Sequence, residues 1–352
     1  MTSVVKEGKD FIQQAEKCLK SGFFKKPDPQ SAVGLYEKAA LSFKKARAYR
    51  AAMETYLKVA DMHQQLDNGF HSARALESAA MMAKDHKQYA EAAGYFSQAG
   101  IRYREFGSND TAGLTLEKGA KFIEKVEPDR AIDMYVDAAD LYNDEEKYAQ
   151  CGECYRKAAM LHLQNQKFAE AIKLLDLQAN AFTSADVMEK VYQVYLSIVI
   201  VYLRMGDLVA ANEKADTWVM KSGWSNSDDG RLADHVIQAY DEGDQELMEA
   251  TVKKQRFGYL DNEVAKIARG LRVPGAGMKK KKSAVDTPTP ASEKENARAA
   301  DISPTETTAE GLPSDAAAAQ APIHADQQAS NITPQPAEAY EDEDEDEEGG
   351  LC

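Results

Sequence analysis

Three groups of residues have the types and spacing to do chemistry. Cys151 and Cys154 form a CxxC pair, the spacing of a zinc half-site or a redox couple. His63, His71, His86, His162 and His235 supply imidazoles. The stretch GAGMKKKK at 275–282 has the glycines and lysines of a phosphate-cradling loop. Each falls short. No second Cys or His pair lies near Cys151 and Cys154, so small packing residues are the expected role. The histidines meet no Ser, Cys or carboxylate constellation, and HExxH and nucleophile-elbow motifs are absent. The 275–282 stretch lacks a preceding strand and a following helix; it reads as a flexible exit from a fold. The expectation is a protein that is not an enzyme, with no cofactor, metal or small-molecule substrate.

What remains is the chemistry of surfaces. Phe23 and Phe24, followed by Lys25 and Lys26, sit in SGFFKKPDPQ, where Pro27 and Pro29 forbid a helix. Two readings are open. The rings fold back on the first helices, or they enter a lipid headgroup region while the lysines meet anionic lipid. Lys38, Lys58, Lys118 and Lys157 recur at one register of a repeat. Lys38, Lys118 and Lys157 belong to alternate copies, so they could form a basic stripe for an acidic partner. Glu37, Glu77 and Glu117 stand beside that register, and an ordinary charged surface is the rival reading. Near the C-terminal side, Asp241, Glu242, Asp244, Glu246 and Glu249 are either first-turn carboxylates meeting helix dipoles or an acidic patch for a basic partner.

These groups are positioned by a repeat of about twenty residues. Its centres are Tyr36, Tyr56, Leu76, Phe96, Leu116, Tyr135, Tyr155, Leu175 and Tyr195. Each step is twenty except the nineteen between Leu116 and Tyr135. Small residues, mostly alanine, recur four before and four after each centre, and a bulky residue recurs seven after every centre but Leu76, where Ala83 stands. Offsets of −4, 0, +4 and +7 fall on one helical face. Each copy is one amphipathic helix and a turn, so two copies make a helical hairpin of about forty residues. Turn signals fall at 67–69, 107–110, 126–129 and 205–207. Tyr49, Tyr89, Tyr148, Phe168 and Met188, seven before their centres, would cap the turns. The expected fold is all-α: a TPR-like helical-hairpin solenoid, a twisted sheet of antiparallel helices with a broad face for protein partners.

Beyond Gly206 the period breaks. Helices are predicted at 208–219, 231–240, 245–254 and about 261–271, with SGWSNSDDG (222–230) as a loop. The expected organisation is an array over 1–205, a capping helical bundle over 206–275, and a disordered Pro/Ala-rich acidic tail over 276–352. The tail holds seven of the eleven prolines and ends in eight consecutive acids before GGLC.

Charge follows this division. The chain of 352 residues carries a formal net charge of −15. Residues 276–352 hold six basic and seventeen acidic side chains, a net of −11, leaving only −4 for the rest. Such balance argues against nucleic acid, which calls for a basic footprint. No long apolar run marks a signal peptide or membrane span.

Several stretches together resemble the gamma-type soluble NSF attachment proteins: KSGFFKKPD (20–28), FHSARALESAAMMAK (70–84), DTAGLTLEKGAKFIEKVEPDRA (110–131), YLDNEVAKIARGLRVPGAGMKKKK (259–282) and the terminal GGLC. The spacer from about 283 to 340 is longer than usual for that family. The resemblance implies an adaptor that binds the SNARE complex, recruits the hexameric NSF ATPase and stimulates its ATP-driven SNARE disassembly in vesicle fusion. It implies a cytoplasmic protein, peripherally associated with a membrane surface through Phe23, Phe24, Lys25 and Lys26. Lys157 matches a SNARE-contacting lysine of alpha-type relatives, with Lys38 and Lys118 as companions. Gly113 stands where those relatives carry another basic residue. Asp241 and Glu242 match acids that face NSF, and Gln238 stands where a third is expected. Leu351 matches a penultimate leucine needed for ATPase stimulation. The alternative is a helical-repeat scaffold for trafficking or cytoskeletal partners that does not act through NSF.

Overall fold

The structure, a computed structural model, describes residues 3–21, 26–221 and 223–275. Among them, every long element is a helix. The first ten are α1 (Ser3–Leu19), α2 (Pro29–Lys45), α3 (Tyr49–Gln65), α4 (Gly69–Asp85), α5 (Tyr89–Glu105), α6 (Asn109–Ile123), α7 (Pro128–Asp144), α8 (Tyr148–Gln164), α9 (Phe168–Ser184) and α10 (Met188–Met205). The twenty-residue period is thus a 17-residue helix and a three-residue turn. Tyr49, Tyr89, Tyr148, Phe168 and Met188 are each the first residue of their helix. Each helix packs along its sequence neighbours, while alternate helices are joined mainly by long side chains such as Lys118 to Glu77. That is a two-layered zigzag, the TPR-like solenoid.

The bulky residue at +7 does two jobs. Phe43, Tyr103, Tyr142 and Phe182 are buried side chains. Their carbonyls also accept the N–H five residues on, as in Ala48 to Phe43 (2.9 Å) and Ser108 to Tyr103 (2.8 Å). This is the Schellman closure, which puts the intervening residue in the left-handed region. Arg47, Asp67, Lys87, Gly107, Glu146, Gln166, Asp186 and Gly206 occupy it in turn. The α6–α7 turn is the exception. There the Glu127 N–H reaches Ile123 (2.8 Å), one residue short, and Pro128 opens α7. The missing left-handed residue is the physical reason for the nineteen-residue step.

Small residues at the repeat's inner positions let the helices meet closely. A Cβ on Gly152 would lie 2.6 Å from the Phe182 ring, so the ring occupies the volume a side chain would need.

The array ends on α10, whose run Leu196, Ile198, Val199, Ile200 and Val201 is wholly buried. A helix apolar all round must be covered all round. One side meets α9; the other is covered by α11 (Leu208–Val219), α12 (Asp228–Asp241) and α14 (Asn262–Arg269). The helix α13 (Gln245–Val252) and a 3-10 turn (Gln255–Tyr259) complete the cap. Tyr195 and Trp218 stack at 3.9 Å, and Trp224 meets Trp218 edge-on at 5.8 Å. We keep 205–206 as a proposed boundary because the period ends there, although the cap shares its core with α10.

The segment 222–230 is not simply a loop. Trp224 is buried, and α12 begins three residues before its expected start. Ser227 Oγ accepts the Gly230 N–H (2.9 Å), and Asp228 and Asp229 fill the first turn. A serine cap followed by two acids is a helix-start signal, outweighed in the sequence by the surrounding Gly, Ser and Asn.

Candidate functional site

Of the residues that could have done chemistry, Cys151, Cys154, His63 and His162 pack within the array, His86 and His235 are exposed, and all but Gly275 of the 275–282 stretch lies outside the described residues. Cys151 and Cys154 lie on one face of α8, fully buried or nearly so. Burial pushes the Cys151 thiol up to about 11 and that of Cys154 up to about 12, the latter aided by Glu117. Such thiols are protonated and unreactive at neutral pH. His63 is buried against Glu37 (3.5 Å) and stacks on His71. Burial lowers the His162 pKa, keeping that ring neutral. Among the described residues no cluster of His, Cys, Asp and Glu has metal-site geometry.

The lysine register is positioned as the period requires. Lys38 on α2, Lys118 on α6 and Lys157 on α8 lie on alternate helices. Their electrostatic states differ. Lys38 is exposed and makes no ion pair among the described residues. Lys118 donates to Glu77 of α4 at 2.7 Å. Lys157 donates to Glu117 of α6 and lies 5.4 Å above the Tyr135 ring. Lys190 of α10, which stands five before its centre and so off the lysine register, makes a similar pair by donating to Glu153 of α8 at 2.6 Å. The stripe is therefore a ladder of pairs between alternate helices, open at its α2 end. The sequence placed Glu77 and Glu117 beside the lysines, but not on the neighbouring rung that each lysine reaches.

Gly113 of α6 is buried. A Cβ there would stand 3.0 Å from the ring of Tyr142, which is itself buried. No basic side chain has room at this position.

The acids of the cap gather at the α12–α13 turn, where Asp241, Glu242, Asp244, Glu246 and Glu249 are exposed. The dipole reading holds for part of this group. Asp244 caps α13 by accepting the Leu247 N–H (2.9 Å), and Glu246 lies in that helix's first turn. Asp241, however, is the last residue of α12 and Glu242 its C-cap. A carboxylate at a helix C-terminus faces the negative end of the dipole, which disfavours it. Glu242 accepts from Gln238 (2.9 Å). Asp241 and Glu242 thus stand where helix stability alone would not choose them.

The loop before the array lies partly outside the described residues, Phe23, Phe24 and Lys25 included; Lys26 is exposed. After the loop, the Asp28 N–H donates to the Cys18 carbonyl (2.9 Å) and Asp28 caps α2 through Ser31 (3.0 Å). Leu351 and the acidic tail also lie outside the described residues.

Two features escaped the sequence. Arg156 of α8 donates to both Glu153 and Asp261 at 2.7 Å, tying the array to the start of α14. Beside it lies an open cleft of about 370 Å³, with Gln178, Lys190 and Tyr259 in its wall. Pairs separated by a hundred residues leave no local spacing to read.

Residues 6–262 match the family model described as "Soluble NSF attachment protein, SNAP". The chain is 29% identical over 268 residues to a gamma-soluble NSF attachment protein of Dictyostelium discoideum, covering 76% of this chain and 83% of that one. It is 28% identical over 244 residues to the Arabidopsis thaliana protein of the same name, covering 69% and 84%. To an alpha-soluble NSF attachment protein of Vitis vinifera it is 26% identical over 247 residues, covering 69% and 85%.

Proposed function

Since the chain belongs to the soluble NSF attachment protein family, we propose that it acts as an adaptor between SNARE complexes and the NSF ATPase in vesicle traffic. In this reading the helical array grips the SNARE bundle, with Lys38, Lys118 and Lys157 on the gripping face. The α12–α13 acids meet NSF through Asp241 and Glu242, and Leu351 promotes ATP hydrolysis. Phe23, Phe24, Lys25 and Lys26 make a weak, peripheral membrane contact from the cytoplasmic side. The ATP chemistry belongs wholly to the partner; this chain supplies surfaces.

The observation that carries this reading is Asp241 and Glu242 at the end of α12. They are exposed, they lie at the disfavoured end of a helix dipole, and they coincide with the acids that the family resemblance assigns to NSF. Residues retained against local stability are candidates for a partner's surface. The array supports the same reading, since stacked hairpins without a catalytic constellation offer extended faces for proteins.

The test is recovery of partners from cell extract by the full-length chain, with and without ATP. The adaptor reading expects NSF and SNAREs to be retained together in non-hydrolysing conditions and released when ATP is hydrolysed. Trafficking or cytoskeletal partners recovered without NSF, and insensitive to ATP, would favour the scaffold reading instead.

A further inference from the structure

The ion-pair ladder has a direct consequence for the gripping face. Three rungs run across four alternate helices: Glu77 to Lys118, Glu117 to Lys157 and Glu153 to Lys190. Two of the three lysines expected to meet an acidic partner, Lys118 and Lys157, are already occupied by this chain's own carboxylates. Lys157 is further held over the Tyr135 ring, and the side chains of Lys157 and Glu117 are 28% and 30% exposed. Partial burial strengthens such a pair relative to an open surface pair. The ladder stops below α4 for a readable reason. Ser78 stands at the lysine register of α4, so no side chain there reaches back to Glu37. Glu37 faces His63 instead, and Lys38 is left open.

We propose that Glu77 and Glu117 act as built-in competitors for Lys118 and Lys157, setting the affinity of this face for an acidic helical partner. The proposal rests on the adaptor reading, which names that partner as the SNARE bundle. An incoming carboxylate must displace Glu77 or Glu117 to reach its lysine, and it meets their charge as it approaches. Lys38 is the one member of the three that needs no exchange, so engagement begins at the α2 end. Glu77 and Glu117 are then specificity-determining residues. They hold the face shut to weakly acidic surfaces and open it to a partner whose carboxylates match the rung spacing.

The experiment uses the full-length chain carrying Glu77→Gln and Glu117→Gln together. Glutamine keeps the shape of each side chain and removes its charge. A control chain carries Asp61→Asn and Glu105→Gln, two exposed acids off the ladder, for the same change in net charge. Two readouts are taken: acylation of Lys118 and Lys157 by a soluble amine-reactive ester, followed by mass spectrometry, and affinity for a soluble four-helix SNARE bundle at two salt concentrations. The ladder variant is expected to acylate at both lysines several times faster than wild type. Its affinity should rise about fivefold, beyond the control, with a steeper loss in salt. Unchanged acylation, unchanged affinity or an equal gain in the control would overturn the proposal while leaving the adaptor reading standing. Absence of SNARE binding by wild type, variant and control alike would remove the adaptor reading, and this proposal with it.

Discussion

Arg256 grips Asp229 through two parallel hydrogen bonds, of 2.9 and 2.6 Å, across the C-terminal cap. Asp229 is fully buried in the first turn of α12, and Arg256 also reaches Glu189 of α10 at 3.3 Å. The pair fixes the 3-10 turn against two helices at once. Asp229 drives the Arg256 pKa further up through its hydrogen bond, so the guanidinium stays charged at any accessible pH. Truncating Arg256 to alanine leaves a buried carboxylate without its counter-charge. The expected cost is about 3 kcal/mol, the scale for breaking a buried pair from one side. Urea unfolding measures it. A loss within the range of an ordinary surface substitution would show that the pair does not hold the cap.

Asp241 gives the opposite sign. It ends α12 and is exposed, so replacing it with asparagine relieves an unfavourable interaction with the helix dipole. Stability should rise by about 0.3–1 kcal/mol. Stimulation of NSF should fall in the same variant if, as proposed, that charge is the contact with the partner. A stability–function trade at one residue is the signature of a binding acid. Loss of both stability and stimulation would instead mark Asp241 as structural.

Gly113 tests whether the basic residue of alpha-type relatives can be restored. Gly113→Lys places a Cβ 3.0 Å from the buried Tyr142 ring. Overpacking of this kind costs about 1–3 kcal/mol. Thermal melting should show the loss, and SNARE affinity should not improve. A stable variant with tighter binding would mean that α6 and α7 can separate at this point without cost.

The Schellman turns offer a stabilising change. Lys87 is exposed and holds a φ of 64° while the Gln88 N–H closes on Ala83 (2.9 Å). Glycine adopts that conformation without the Cβ penalty, offset in part by its freer unfolded state. Lys87→Gly should stabilise by about 0.5–1 kcal/mol, seen as a higher urea midpoint with unchanged slope. Destabilisation would mean that the lysine side chain contributes more than its backbone costs.

Much of the array is legible because its physics is local. A twenty-residue spacing of Tyr36, Tyr56 and Leu76 encodes helix, turn and buried face at once, and the turn before Pro128, which lacks a left-handed residue, accounts for the single short step. The cap is less so. Trp224 sits among Gly, Ser and Asn that read as loop, yet it is buried against Trp218 at the end of α11 and Tyr195 on α10, the latter far from it in the sequence. The lysine register was legible too, but its electrostatic state was not. Lys118 and Glu77 are 41 residues apart, and only stacking of alternate helices brings them together. Likewise the carboxylates of Asp241 and Glu242 could be read as first-turn residues until the end of α12 was located.

Whether this chain works through NSF, as proposed, is decided by its effect on ATP hydrolysis. NSF hexamer is assayed with a soluble SNARE complex and increasing amounts of the full-length chain, of a Leu351→Ala variant, and of a chain lacking residues 283–352. The expected result is a saturable rise in ATPase rate with SNARE disassembly, and a smaller rise with Leu351→Ala or without the tail. No stimulation and no disassembly at saturating full-length protein would contradict it.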